Sequence, residues 1–371
     1  MNDFIPIAKP SFLGNEKKYL NECIKTGWIS SAGKYIENFE NLMADYCGVK
    51  YGVAAANGTM ALHLALLALN IKKGDEVIVP DLTFVATANS VIYTGAEPVL
   101  ADVESNSWNI DIDRCHRLVS KRTKAIIPVH LYGQPCDMDK IIEFSEKYNL
   151  SIIEDCAEAH GAEFMGKKVG SFGDINCFSF YGNKVVTTGE GGICLTNNKK
   201  LYEKMRVLRD HGMDKKRRYW HSMVGYNYRM TNIQAAIGCA QLEKIDQYIK
   251  SRSRIENQYN LILNNHPMVI TQPNFPNRKK VCWLYSVLIN SRLTKQSIKN
   301  IQKNLGEKGI DSRPLFTPLH KMPPYKDKKR NTLVNSPLIS KEGISLPTFV
   351  DLEANQIEYI ANSLIDILNH L

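Results

Sequence analysis

An alternation constrains this chain more than any single motif. Short apolar runs take turns with stretches of helical pattern. "YGVAAA" is followed by "NGTMALHLALLALN", "DEVIVP" by a Thr/Ala-rich stretch from about Thr83, and "KAIIPVH" by "DMDKIIEFSEKYN". "SIIEDCA", "NCFSFY" and "GGICLTN" read as further strands. Such alternation predicts an α/β fold with a mostly parallel sheet covered by helices. From Thr231 to about Leu263 the pattern is helical, with no Pro or turn cluster to interrupt it. Pro267, Pro273 and Pro276 then break the chain, and "CWLYSVLI" opens a new unit as a strand. The expected organisation is a large domain over residues 15–250 and a smaller C-terminal α/β domain over 251–371, with segment 1–14 packed on the smaller one.

Length and composition narrow the class. At 371 residues the chain can bury a sizeable core, and 44% apolar with 23% charged residues is the balance of an ordinary soluble protein. The start, "MNDFIPIAKPSFLGNEKKYL", has no basic stretch followed by an apolar core, so no signal peptide is expected. No run approaches the roughly 18 apolar residues of a membrane helix. The nine cysteines are an odd number, spread evenly and without a CxxC pair. That pattern favours reduced thiols in the cytoplasm over disulfides or a metal site. The net charge of +9 raises a nucleic-acid reading. The basic runs Lys215–Arg218, Arg278–Lys280 and Lys326–Arg330 are short and lack interleaved aromatics, so they read as solvated faces or as attraction for a phosphorylated small molecule.

One lysine stands out. In "SFYGNKVVTTGEGG", Lys184 lies between an apolar strand and a Gly/Thr cluster, and a half-buried lysine is costly unless it is paired or chemically used. Upstream, "IIEDCAEA" puts Asp155 at the carboxyl end of a strand, where open α/β sheets bind ligands. An acid there can equally be an ion-pair partner or a turn former. "AANGTMALHLAL" sets Gly58 and Thr59 at a strand-to-helix turn, where free N–H groups suit a phosphate or an ordinary N-cap. Phe84 in "PDLTFVATAN" is either core or a platform for a flat heterocycle. Together, a phosphate turn, an aromatic, a strand-end acid and a lysine fit pyridoxal 5′-phosphate, which needs a lysine partner, a carboxylate at its pyridine nitrogen and donors for its phosphate.

At this point a resemblance is plain. "TGWISSAGKYIENFE", "NGTMALHLAL", "EVIVPDLTFVATANS", "PVHLYGQPCDMD", "IIEDCAEAHGA", "GSFGDINCFSFYGNKVVTTGEGG" and "YNYRMTNIQAAIG" resemble the sugar-nucleotide aminotransferases of the DegT/DnrJ/StrS family over nearly the whole chain. The resemblance implies a fold type I architecture with a mostly parallel seven-stranded sheet. It implies pyridoxal 5′-phosphate as cofactor and Lys184 as the residue that carries it and moves the proton. By the same resemblance Phe84 stacks on the ring, Asp155 meets the pyridine nitrogen, and Gly58, Thr59 and Ser179 hold the phosphate. Glu158 joins the cofactor site, at a position where many members carry His. Asn227 would reach the phosphate in a neighbouring subunit, which makes the expected assembly a homodimer with shared active sites. A branch of 3-dehydratases has His in place of the lysine, so Lys184 points to transamination.

The substrate is a narrower matter of resemblance. "SFYGNK", "RRYWH" and "SRPLFTPLHKMPPY" are similar to the branch that uses glutamate to aminate GDP-4-keto-6-deoxymannose. This implies sugar or diphosphate contacts from Trp28, Ser30 and Ser31, from Arg218, Tyr219 and Arg229, and from His320. Other readings keep the same reaction on a UDP- or dTDP-linked keto-sugar, or the same fold in a cofactor-binding regulator. Neither a metal, a nucleic acid nor a membrane is expected as a partner.

Overall fold

A computed structural model describes residues 4–214, 216–325 and 333–369. Seven short strands form its main sheet: β1 (Tyr51–Ala55), β2 (Glu76–Pro80), β3 (Glu97–Ala101), β4 (Thr123–Ile126), β5 (Ser151–Asp155), β6 (Ile175–Ser179) and β7 (Gly192–Thr196). Their order across the sheet is β1-β7-β6-β5-β4-β2-β3. The pairs from β6 through β3 are parallel, and β7 runs antiparallel to both of its neighbours. The sheet is therefore mostly parallel, as the alternation predicts. Strands such as "EVIVP" and "GICLT" are buried at every position because helices cover both faces.

Local sequence explains how the helices start at the carboxyl ends of the strands. Asn57 ends the turn after β1, and its side chain accepts from Met60 N at 2.9 Å, so the helix Gly58–Ala68 begins there. Thr231 and Gln234 form a capping box ahead of Asn232–Leu242. The predicted single helix from Thr231 to Leu263 is two helices, Asn232–Leu242 and Ile245–Leu263. The break falls at Glu243 and Lys244, where the Glu243 carboxylate binds Tyr19 and Asn15 from the N-terminal helix. A tertiary contact sets this turn, and no local breaker residue announces it.

A second, four-stranded antiparallel sheet follows. Its order is Val269–Thr271, Tyr285–Ile289, Gly343–Leu346 and Arg313–Pro314. It has its own apolar cluster, built with Ile301, Leu305, Ile357, Ile360 and Leu364 from its helices. The N-terminal segment lies against it: Ile5 N donates to Gly309 O at 2.9 Å, and Thr348 N to Ile7 O at 2.9 Å. Gln241 holds the same segment from the other side, through Ser11 O at 2.9 Å.

Two buried acids at the ends of β2 and β3 tie this part to the main sheet. Asp81 accepts from the His320 backbone N–H at 2.9 Å and binds the His320 ring and the Ser336 hydroxyl. Asp102 accepts from the N–H groups of Val334, Asn335 and Ser336, which begin the helix Asn335–Glu342. The basic run Arg278–Lys280, read from sequence as a solvated face, is instead paired with Asp137, Glu163 and Glu256. Lys215 and the run Lys326–Arg330 lie outside the described residues. All nine cysteines are buried with free thiols.

Candidate active site

β1, β5 and β6 end around one cleft of about 490 Å³, lined on the far side by Trp283, Arg313 and Phe316 from beyond the main sheet. The volume is that of a small-molecule site. At its base, the turn after β1 meets the end of β6. A Cβ on Gly58 would lie 2.7 Å from Ser179 Cβ, so only glycine lets the two pass. Gly58 and Thr59 open the helix, whose first N–H groups have no partner within the helix itself. This start and the Ser179 hydroxyl make a cradle suited to an anion.

Asp155 ends β5 and is only 5% exposed. Its Oδ2 accepts from Thr87 Oγ1 at 2.8 Å and its Oδ1 from Ala157 N at 3.1 Å. Burial pushes its pKa up, while these two hydrogen bonds and the charge of Lys184 pull the other way. Two hydrogen bonds leave the carboxylate room to accept a further donor from the cleft.

Lys184 sits on the loop after β6, closed by Lys184 N donating to Tyr181 O at 2.9 Å. Its Nζ is 3.8 Å from Glu158 Oε1 and 3.9 Å from the centroid of the Trp283 ring. The amine therefore rests between a carboxylate and an indole face, with an ion-pair contact longer than a hydrogen bond. Burial lowers the lysine pKa, and the charges of Glu158 and Asp155 oppose that shift. Burial likewise raises Glu158 to about 7, opposed by Lys184. Glu158 is fixed by Tyr132 N, which donates to its Oε2 at 2.8 Å.

Aromatic rings build the wall behind the amine. The rings of Tyr132, Trp283 and Phe316 form a triangle of near-parallel planes, with centroids 5.8 Å apart for Tyr132 and Trp283, 5.4 Å for Tyr132 and Phe316, and 6.5 Å for Trp283 and Phe316. Trp283 is held through its ring N–H to Asn183 O at 2.8 Å and its carbonyl to Arg252 Nη1 at 2.6 Å. Phe84 is 54% exposed at the rim, 5.8 Å from Phe316, with surface free to cover a flat ligand.

The cleft thus gathers Gly58, Thr59, Phe84, Asp155, Glu158, Ser179 and Lys184. The other residues expected from sequence lie elsewhere. His320 is bound to Asp81 Oδ2 at 2.7 Å. Ser30 and Trp28 hold Asn232 through their carbonyls. Ser31, Arg218 and Arg229 line a separate depression of about 570 Å³ with Arg209 and Asp210. Asn227 accepts from Arg229 Nε at 3.0 Å, and Arg229 pairs with Asp210 at 2.9 Å. Tyr219 is 75% exposed, under the Arg218 guanidinium. Sequence reasoning missed Thr87, Tyr132, Trp283 and Phe316. Thr87 is one helical turn beyond Thr83, a spacing that could have flagged it. Trp283 and Phe316 come from beyond the main sheet, and no local signal connects them to Lys184.

The candidate metal ligands His130, Glu154 and Cys156 cluster on the other side of β5. Glu154 already accepts from three backbone N–H groups, of Gly170, Phe172 and Gly173, and from His130 Nε2 at 3.0 Å. His130 Nδ1 accepts from Cys136 N at 3.0 Å. Hydrogen bonds hold these donors, and the cluster reads as a structural network.

The donor set of the cleft fits pyridoxal 5′-phosphate: an amine, a buried carboxylate with spare capacity, an anion cradle and an exposed ring. The family model of the DegT/DnrJ/EryC1/StrS aminotransferases matches residues 11–365. The chain is 48% identical over 365 residues to a GDP-perosamine synthase of Caulobacter vibrioides, covering 98% of each chain. Among solved structures it is similar to PseC of Helicobacter pylori, an aminotransferase of pseudoaminic acid biosynthesis, with a TM-score of 0.94, 28% identity and 100% of each chain covered. The PLP form of a sugar aminotransferase from Streptococcus pneumoniae matches with a TM-score of 0.91 and 25% identity, over 98% of each chain.

Proposed function

The chain belongs to the DegT/DnrJ/EryC1/StrS aminotransferase family, and on that premise we propose that it moves an amino group from glutamate to GDP-4-keto-6-deoxymannose, giving GDP-perosamine and 2-oxoglutarate. The observation that carries this is the convergence of the Lys184 amine, the buried Asp155 carboxylate and the Gly58–Thr59 helix start on one cleft. Pyridoxal 5′-phosphate supplies the electron sink that lets an amino group leave one carbon and join another.

The residues of this chain do the rest. Gly58, Thr59 and Ser179 hold the phosphate. Asp155 holds a proton at the pyridine nitrogen, helped by Thr87 and Ala157, which fix its orientation. Phe84 covers the ring. Lys184 Nζ anchors the cofactor and carries a proton to and from the reacting carbon. The apolar wall of Tyr132, Trp283 and Phe316 excludes water from the amine.

The residues outside this cleft find a role in a homodimer. Asn227, Ser31 and Arg229 then face a neighbouring subunit's cofactor or sugar. Two inactive variants, Lys184→Ala and an Asn227 variant, test this when mixed under subunit exchange. Hybrid dimers then hold one intact site, so activity returns; exchange without returning activity removes the shared site. Among the described residues no helix is long and apolar enough to cross a membrane, which accords with a protein working in the cytoplasm on a water-soluble substrate.

The reaction is tested by spectroscopy. The protein with cofactor should be yellow, lose its visible band on adding glutamate, and regain it on adding GDP-4-keto-6-deoxymannose. Regain with a UDP- or dTDP-linked ketone instead would change the substrate and leave the reaction class standing. The identity to a GDP-perosamine synthase weighs against that outcome. A band that glutamate leaves untouched would make the protein a cofactor-binding regulator.

A further inference from the structure

Glu158 faces Lys184 at 3.8 Å, and the indole of Trp283 covers the same amine at 3.9 Å. Only 3% of the Glu158 side chain and 10% of the Lys184 side chain are exposed. Its other oxygen is fixed by Tyr132 N at 2.8 Å, so the carboxylate cannot swing away. Glu158 is also set apart from Asp155, whose oxygens are directed to Thr87 and Ala157. From these contacts we infer that Glu158 is the counter-ion of Lys184, so that the two residues hold one proton between them and Glu158 steadies the ammonium that Lys184 forms on taking a proton from a substrate carbon.

The inference rests on the reading of Lys184 as the proton carrier. In that step a C–H bond breaks, an N–H bond forms on Nζ, and the electron pair stays with the carbon. The new positive charge arises in a buried place, where it is costly unless an anion stands by. Asp155 also feels the lysine's charge, and its own anionic charge would be answered by a protonated pyridine nitrogen when the cofactor is held. Among the described residues Lys184 is the one cation paired with Glu158, so its charge is placed to answer the amine. Among the described residues the other titratable groups around the pair are Asp155 at the end of β5, the Tyr132 hydroxyl in the aromatic wall, His160, which feels the charge of Lys184, and Cys177, Tyr181, Glu190 and Arg313 in the cleft lining. Burial drives Lys184 toward the neutral amine and Glu158 toward the neutral acid, and the charge of each opposes the other's shift.

Glu158 acts through Lys184 and is a positioning residue, so its test reads the amine itself. Cofactor-free full-length protein would be pulsed with acetic anhydride between pH 6 and 10. Acetylation of Lys184 would be counted by mass spectrometry against the exposed Lys17. Glu158→Gln keeps an oxygen for Tyr132 N and removes only the charge. Lys184 should then lose its proton at lower pH and be acetylated roughly tenfold faster near neutrality, the change one pKa unit brings. Glu158→Asp, which keeps the charge but withdraws it by one methylene, should give a smaller rise. If Gln does not fold, the rise in Asp alone decides the matter. A Gln variant that labels like the wild type, Gln and Asp variants that shift alike, or an Asp variant without any rise overturns the inference. None of these readouts uses the cofactor, so they stand or fall apart from the glutamate bleaching that tests the transaminase reading.

Discussion

Glu154 and Asp155 are consecutive residues on β5, and strand alternation sends their carboxylates to opposite faces of the sheet. Both are buried, Glu154 fully and Asp155 at 5% exposure. Glu154 accepts from three backbone N–H groups and from His130. Asp155 accepts from two donors and faces a cleft that holds an amine. The difference is one of saturation. A buried carboxylate with every lone pair engaged is part of the fold, whereas one held in place yet left with capacity is built to meet something else. The same contrast separates Lys204, whose Nζ reaches Ala68 O at 2.8 Å, from Lys184, which has an ion-pair contact and an aromatic face but no hydrogen bond to a carbonyl.

The strongest way to break this contrast is at the lysine. Lys184→Ala should abolish turnover while the protein remains folded. Losing an acid–base group alone costs about 10²–10⁴-fold, and losing the cofactor's anchor adds to that. Single-turnover rates together with an unfolding curve decide it. Near-normal transamination would place the proton carrier elsewhere and leave the unsaturated face of β5 without a purpose.

The saturated face should answer in stability instead. Glu154→Ala leaves the N–H groups of Gly170 and Phe172 and the His130 ring without their Glu154 acceptor in a buried site, and Gly173 N–H with only its second acceptor, Asn176 Oδ1. Breaking such a network costs about 3–5 kcal/mol, read as a lower urea midpoint. Variant protein that still folds should bind cofactor with an unchanged visible band. A variant with wild-type stability and an altered band would reverse the roles assigned to the two faces.

Asp155→Asn is the complementary change. The amide keeps the shape and can still meet Thr87, so the urea midpoint should move little. It cannot hold a proton at the pyridine nitrogen, so activity should fall and the band should shift. Each unit lost from the pyridine pKa corresponds to about 1.4 kcal/mol of lost preference for the protonated ring. A variant with the wild-type rate would make Asp155 a second structural acid.

These residues also mark where the sequence stops being readable. Asp155 and Lys184 were legible because each sits just past an apolar run, and Gly58 because it lies between a strand and a helix. The mostly parallel sheet followed from the alternation. Their neighbours were not legible, since they are distant along the chain. Trp283 meets Lys184 from about a hundred residues further on, and Phe316 joins the Tyr132–Trp283 ring cluster from just after Arg313–Pro314. No period or cap encodes such a meeting. The break at Glu243 was hidden for the same reason, because Tyr19 and Asn15 impose it. Glu154 was hidden differently: its partners are backbone N–H groups, which every sequence possesses.

His160 sharpens the comparison most finely, because it shares a property with each face. Like Glu154 it is wholly buried, packed 5.2 Å from Phe178 and 5.1 Å from Phe180. Like Asp155 it feels the charge of Lys184. Burial first, and that charge second, lower its pKa to about 3 from an ordinary 6.5. The folded protein therefore keeps this ring neutral, while the unfolded chain takes up a proton below about pH 6.5. The contribution is absent above that pH and turns against folding as the pH falls from 6.5 toward 3. At pH 5.5, one unit below the unfolded value, it amounts to about 1.4 kcal/mol. His160→Phe should keep the ring contacts and remove the proton site, so its stability should decline less between pH 7 and pH 5.5 than that of the wild type. Urea midpoints at both pH values measure the difference. If both proteins lose the same stability over that interval, His160 is not held neutral by its surroundings, and the burial that separates the structural side of the sheet from its reactive side is weaker than the packing implies.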